Sequence, residues 1–214
     1  MSLFDWLRRP ETTRAPRAAR PALDAALVDG ILTRVRAAPA GLRVLELECG
    51  VGVLSLRMAH AAPGCSVLGL DTASDAVRSA SSAARAAGLE SRVSFSVCDL
   101  RILSVADACF DLAVGVGVLS ESAAPASTLR EIRRALAPGG MALLYEPLAL
   151  EEPAANAAGG MHHLRGASMS GAALSALIAA SPFANAARLT APESRGPGAY
   201  AQLVLLHAPL TKPH

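Results

Sequence analysis

The chemistry-bearing residues of this 214-residue chain gather in one glycine-containing turn and at two acidic positions downstream of it. Cys49-Gly50-Val51-Gly52-Val53-Leu54-Ser55 has the character of a strand-to-helix turn, where residues without Cβ let a ligand approach backbone N–H groups and a helix N-terminus. Taken as a dinucleotide fingerprint it is Gly-x-Gly-x-x-Ser, which lacks the usual third small residue, and alone it fits an ordinary tight turn equally well. Glu46 and Glu48 decide more. Two carboxylates beside the turn would repel a pyrophosphate by about 1 kcal/mol each even at high effective dielectric, so a cationic ligand is favoured. Nineteen residues after Gly52, Asp71 is placed to accept hydrogen bonds from ribose hydroxyls, and Asp99 is placed to meet a base amino group at the next strand end. Each acid singly could be a helix cap or a turn carboxylate. Together, in order, they describe a nucleoside site.

The elements that must position these residues are legible from hydrophobic pattern and breakers. Leu23, Leu27, Ile31, Leu32 and Val35 repeat at helical spacing before Pro39-Ala40-Gly41. Strands are expected at 43–47, 66–70, 92–97, 110–116 and 141–145, and helices at 53–62, 74–87 and 126–136. After Pro147 a loop-like stretch, a helix at 170–180 and strands near 186–189 and 200–207 complete the pattern. Short Val- and Leu-rich strands alternating with helices indicate a parallel sheet covered on both faces. The expected class is α/β: a doubly wound, Rossmann-like sandwich with a mostly parallel seven-stranded sheet and helices on both faces. Residues 22–210 read as one domain. Residues 1–21 read as a basic, Pro-broken arm carrying Arg8, Arg9, Arg14, Arg17 and Arg20, too poor in apolar surface to order itself.

On these residues the chain resembles the class I S-adenosylmethionine-dependent methyltransferases. Val44-Leu-Glu-Leu-Glu-Cys-Gly-Val-Gly52 is similar to the family's first motif, Leu68-Gly-Leu-Asp71 to its second-strand acid, and Val97-Cys-Asp-Leu100 to its adenine-contacting segment. Phe110 to Leu119 is similar to its fourth-strand motif, and Leu129 to Gly140 to the helix and turn that follow. The resemblance implies S-adenosylmethionine as cofactor, a cation without phosphate. It implies that Glu46 orients the loop and the amino-acid end, with Gly50 and Gly52 lining it. Asp71 and Thr72 would face the ribose, Cys98, Asp99 and Leu100 the adenine, and Gly115 or Val116 the backbone beside the sulfonium. Glu48 departs from the pattern, standing where the family usually has its first glycine. There it either crowds the methionine portion of the cofactor or bonds its ammonium.

Methyl transfer from a sulfonium is an in-line displacement that positioning alone largely supplies. If the acceptor must lose a proton, the candidate bases are Glu121, His162 and His163, and the sequence assigns the catalytic role to none of them. Near-balanced charge, formally +2, and 3% aromatic residues argue against a nucleic-acid substrate. No Asn-Pro-Pro-aromatic segment follows the fourth strand, which resembles small-molecule methyltransferases. The acceptor is expected between the 146–170 loop and the N-terminal helix. Cys49, Cys65, Cys98 and Cys109 form no C-x-x-C pair, so no metal site is proposed and a reducing, cytoplasmic setting is expected. The Arg and Ala bias suggests a bacterial source. The stretch from Gly166 to Ala187, interrupted by Pro182 and Asn185, is a poor membrane span. A second hypothesis is a degenerate methyltransferase-like domain that binds a nucleoside ligand or a protein partner, the latter through the arm, without catalysis. An NAD-linked oxidoreductase is disfavoured by the acidic loop and by Ser55.

Overall fold

A computed structural model describes residues 25–149, 169–183, 185–191 and 199–208. The arm, His162, His163 and most of the 146–170 loop lie outside the described residues. In chain order the elements are α1 (Ala25–Ala37), β1 (Arg43–Leu47), α2 (Val53–Ala61), β2 (Ser66–Asp71), α3 (Ser74–Ala86), β3 (Val93–Val97) and β4 (Phe110–Val116). They continue with α4 (Pro125–Ala135), β5 (Leu136–Ala149), α5 (Gly171–Ala179), β6 (Asn185–Ala191) and β7 (Ala199–His207).

The strands form one seven-stranded sheet in the order β3-β2-β1-β4-β5-β7-β6. The first five pair in parallel, and β7 joins β5 and β6 antiparallel. Because successive strand residues face opposite sides, Val44, Val67, Leu112, Val114 and Leu143 pack beneath α1, α2 and α3. Leu45, Leu47, Ala113, Ala142 and Leu144 face the other way, onto Leu129 and Ile132 of α4 and Leu174 and Ile178 of α5. Burying both faces explains why these strands are continuous apolar runs rather than alternating ones.

The sheet order reverses at β1 and β4, and the carboxyl ends of these strands open side by side at that point. An ion pair and a set of guanidinium-to-carbonyl hydrogen bonds fix the opposite end. Arg43 donates through its backbone N–H (2.9 Å) and Nε (3.0 Å) to Asp111 Oδ2 and through Nη2 to Oδ1 (2.6 Å), joining the start of β1 to β4. Arg92 Nη1 donates to the carbonyls of Ala59 (2.9 Å) and Cys65 (3.1 Å), satisfying an acceptor in the last turn of α2.

Strand β5 begins at Leu136, five residues before the expected start, directly after α4. Leu136 pairs with Phe110, and the register shifts between Phe110 and Leu112, so the Pro138-Gly139-Gly140 segment is taken into the strand as an irregularity rather than ending it. No helix among the described residues is long and apolar enough to cross a membrane.

Candidate functional site

The turn after β1 is built from three successive excursions into left-handed backbone. Glu48 has φ 56°, Gly50 φ 55° and Gly52 φ 81°. Glycine takes this conformation freely, whereas a residue with a Cβ is strained by about 1–2 kcal/mol, so Glu48 sits where the backbone itself would prefer glycine. At Gly52 the space is also closed: a Cβ there would lie 2.6 Å from Phe95 Cζ. Phe95 of β3 thus packs up against the turn, which is why the second glycine is required.

Asp71 holds the turn from below. It is fully buried, and its two oxygens accept the N–H groups of Gly50 and Ala73, each at 2.8 Å. The carboxylate therefore ties the glycine turn to the start of α3. Glu46, also buried, accepts the hydroxyl hydrogen of Ser55, so the strand is joined to the first turn of α2. Ser55, which counted against a dinucleotide fingerprint, has a definite task in the turn.

Beside this turn lies a cavity of about 430 Å³. Five of the residues expected at the cofactor site line it: Glu48, Thr72, Cys98, Asp99 and Leu100. Glu121, one of the three candidate bases, lines it too. Glu46, Gly50, Gly52, Asp71, Gly115 and Val116 are not among the lining residues. Gly115 is buried, and the Val118 side chain folds back over the place a Cβ would take.

Val97 and Val118, from the adenine-contacting and fourth-strand motifs, also line the wall, with Arg101 and Ser122, which sequence reasoning did not single out. Arg101 holds Asp99 through three guanidinium contacts and its backbone N–H, and these donors, the guanidinium first, keep the Asp99 carboxyl down at about 2. The signal for this pair was the opposite charge two residues away. Glu146 was noticed only as the start of a loop. It is fully buried at the end of the β4-facing stretch of β5, and its oxygens accept the N–H groups of Leu119 (3.0 Å) and Ser120 (2.9 Å). With Gly117 N–H on the Tyr145 carbonyl (2.7 Å), these bonds dock the segment after β4 that carries Val118, Glu121 and Ser122 to the cavity. Burial pushes the Glu146 carboxyl up to about 7, against the pull of its two backbone donors.

Three carboxylates thus face the cavity, and the guanidinium among its lining residues is spent on one of them. The residues from 39 to 176 match the family model described as a methyltransferase domain. The chain belongs to the class I S-adenosylmethionine-dependent methyltransferases. It is 34% identical over 101 residues to methyltransferase GfsG of Streptomyces halstedii, an alignment covering 47% of this chain and 36% of the relative. It is 36% identical over 104 residues to demethylmenaquinone methyltransferase of Thermus thermophilus, covering 49% of this chain and 46% of that protein. The alignments therefore take in less than half of either relative. The crystal structure of the [4+2]-cyclase SpnF superposes with a TM-score of 0.71 at 23% identity, over 87% of this chain and 81% of that one, which shows a shared fold.

The cofactor of this methyltransferase family is S-adenosylmethionine, and the residues present fit it. The carboxylate-rich wall of the cavity beside the turn suits a ligand with a sulfonium and an ammonium.

Proposed function

We propose that this methyltransferase domain transfers a methyl group from S-adenosylmethionine to a small-molecule acceptor. The observation that carries this reading is the placement of Glu48, Asp99 and Glu121 around one cavity of about 430 Å³, a volume suited to a cofactor-sized ligand. When bound, the cofactor supplies a methyl group already activated on a sulfonium. The chain's own residues then need to hold, orient and exclude rather than form a covalent intermediate.

In this proposal Glu48 accepts from the amino-acid ammonium, which offsets the cost of its left-handed backbone. Thr72 meets the ribose, and Asp71 acts mainly by fixing the turn from which Gly50 and Gly52 present their backbone. Asp99 accepts from the adenine amino group, and Cys98 and Leu100 bound the base. Gly115 lies behind Val118, so Val118 of the cavity wall, rather than Gly115 or Val116, would bound the cofactor on this side. Glu121 is the candidate base within the described residues, and it takes the proton of an acceptor that must lose one.

Small acceptors are supported by sign of charge. A polyanion approaching this opening would meet three carboxylates and only a guanidinium already paired, whereas a neutral or cationic small molecule would not be repelled. Thermal shift with S-adenosylmethionine, S-adenosylhomocysteine and NAD tests the ligand, since a ligand binding only the native state raises its stability. Stabilisation by the first two and none by NAD is expected. Methyl transfer to a panel of small amines, phenols and acids tests the acceptor class. Absence of any shift with either adenosyl ligand at millimolar concentration would remove the enzymatic reading, and faster transfer to RNA than to any small acceptor would remove the acceptor class.

A further inference from the structure

We infer that Arg101 competes with the cofactor's base for Asp99, and so sets both the affinity for the adenosyl group and its selectivity for the purine 6-substituent. This rests on the proposed contact between Asp99 and the adenine amino group.

The geometry is specific. Asp99 Oδ1 accepts the backbone N–H of Arg101 at 2.9 Å and Nε at 3.0 Å, while Oδ2 accepts Nη2 at 2.6 Å and Nε at 3.1 Å. Arg101 meets both oxygens with three N–H donors, the Nε hydrogen being shared between them, so three of the about four acceptor positions of the carboxylate are engaged and its guanidinium covers both oxygens. Both residues line the cavity. An amino group arriving at Asp99 therefore competes with the guanidinium for the same oxygens.

Displacement is inexpensive because the pair is open to solvent: the side chains are 54% and 46% exposed. Exposed pairs of this kind contribute little, and salt weakens them further. The backbone around them is fixed, by contrast. Leu103 donates its N–H to Glu131 at 2.8 Å, its carbonyl accepts from Arg134 Nη2 at 2.9 Å, and Ile102 N–H closes a turn on the Asp99 carbonyl at 3.0 Å. Movement is thus confined to the Arg101 side chain. When it swings out, three contacts are released and the Arg101 backbone N–H stays on Oδ1, so the freed carboxylate keeps its orientation.

Selectivity follows from the same exchange. A bare carboxylate accepts from a 6-amino group and repels a 6-oxo group, whereas a guanidinium beside it can donate to the 6-oxo group. Arg101 thereby narrows the discrimination between the two purines.

Calorimetric titration of the full chain and of Arg101→Ala with S-adenosylhomocysteine and S-inosylhomocysteine, each at 20 and 300 mM NaCl, tests the inference, with Asp99→Asn as the companion variant. At low salt Arg101→Ala should bind S-adenosylhomocysteine about two- to five-fold more tightly than the native chain, the range for an exposed ion pair. That advantage should shrink toward unity at high salt, and preference for the adenosyl ligand over the inosyl one should increase. Equal or weaker binding by Arg101→Ala at low salt overturns the competition. If Asp99→Asn leaves the affinity for S-adenosylhomocysteine unchanged, the adenine contact itself fails and the inference falls with it. If Asp99→Asn weakens binding and Arg101→Ala does not tighten it, only the competition is lost.

Discussion

Glu146→Gln removes the one ionisable group on which the segment after β4 hangs, and its effect on stability can be worked out in sign and size. Burial raises the Glu146 carboxyl from 4.5 to about 7, with Glu121 adding to the rise and the Leu119 and Ser120 N–H groups opposing it. Between those two values the folded chain holds a proton that the unfolded chain has released. Stability therefore falls as pH rises from about 4.5 to about 7 and levels off above. At about 1.4 kcal/mol per pKa unit the whole difference is about 3 kcal/mol, most of it between pH 5 and pH 8. Glutamine does not titrate. Its carbonyl oxygen can accept one of the two backbone N–H groups, but its amide NH2 then faces the other, at a cost of about 1–3 kcal/mol. The variant should thus be less stable than the native chain at pH 5 and should recover about 2–3 kcal/mol relative to it by pH 8. For a chain of this length that is a relative shift in Tm on the order of 5–10 °C. Urea unfolding followed by far-UV circular dichroism at both pH values measures it. Parallel stability curves for the two proteins would show that the Glu146 proton is not the source, and the argument from burial would be refuted.

Three further substitutions address the turn. Glu48→Gly should stabilise the fold by about 1 kcal/mol by relieving the left-handed backbone, while weakening S-adenosylhomocysteine about tenfold or more through loss of the ammonium contact. Thermal melts and calorimetry separate the two effects, and tighter binding would mean that the side chain obstructs. Gly52→Ala should destabilise by at least about 2 kcal/mol, because it adds left-handed strain to a contact with Phe95, and should abolish cofactor binding; a native melting profile would refute the close packing. Asp71→Asn leaves one of the Gly50 and Ala73 N–H groups without its carboxylate acceptor. It should cost about 1–3 kcal/mol of stability and weaken cofactor binding. Unchanged urea stability would show that Asp71 does not hold the turn.

The order of elements was readable in the sequence because the apolar runs at 43–47, 66–70 and 110–116 are bounded by strong breakers, and each became a strand within a residue of its expected limits. The start of β5 was not readable. Pro138-Gly139-Gly140 is ordinarily a stop signal, but here the pairing of Leu136 with Phe110 carries the strand through it. Propensity is local, and a partner strand already in place can override it.

For the site, sequence spacing singles out Glu46, Glu48, Asp71, Asp99 and Glu121 without separating those that turn inward from those that line the cavity, and it meets Glu146 only as the start of a loop. Glu46, Glu48, Asp71, Asp99 and Glu121 all stand at or beyond the carboxyl ends of strands, and sequence spacing treats them alike; Glu146 lies within β5, just past its pairing with β4. Glu46 and Glu48 are two residues apart and would share a face if the strand continued. It does not continue, because the chain leaves the β region at Glu48 with φ 56°. That one dihedral separates an acid turned inward onto Ser55 from an acid on the cavity wall. Asp71 and Glu146 go inward for a different reason. Each lies beside a turn whose backbone N–H groups have no strand or helix partner, and a carboxylate below the turn accepts two of them at once. The inward acids build the two loops that bracket the cavity, and Glu48, Asp99 and Glu121 give it its charge. On the proposed reading, a ligand contact can therefore be lost by substituting Glu46, Asp71 or Glu146, none of which lines the cavity. Stability and affinity fall together for the inward set and come apart for the wall set, and that difference sorts the six experimentally.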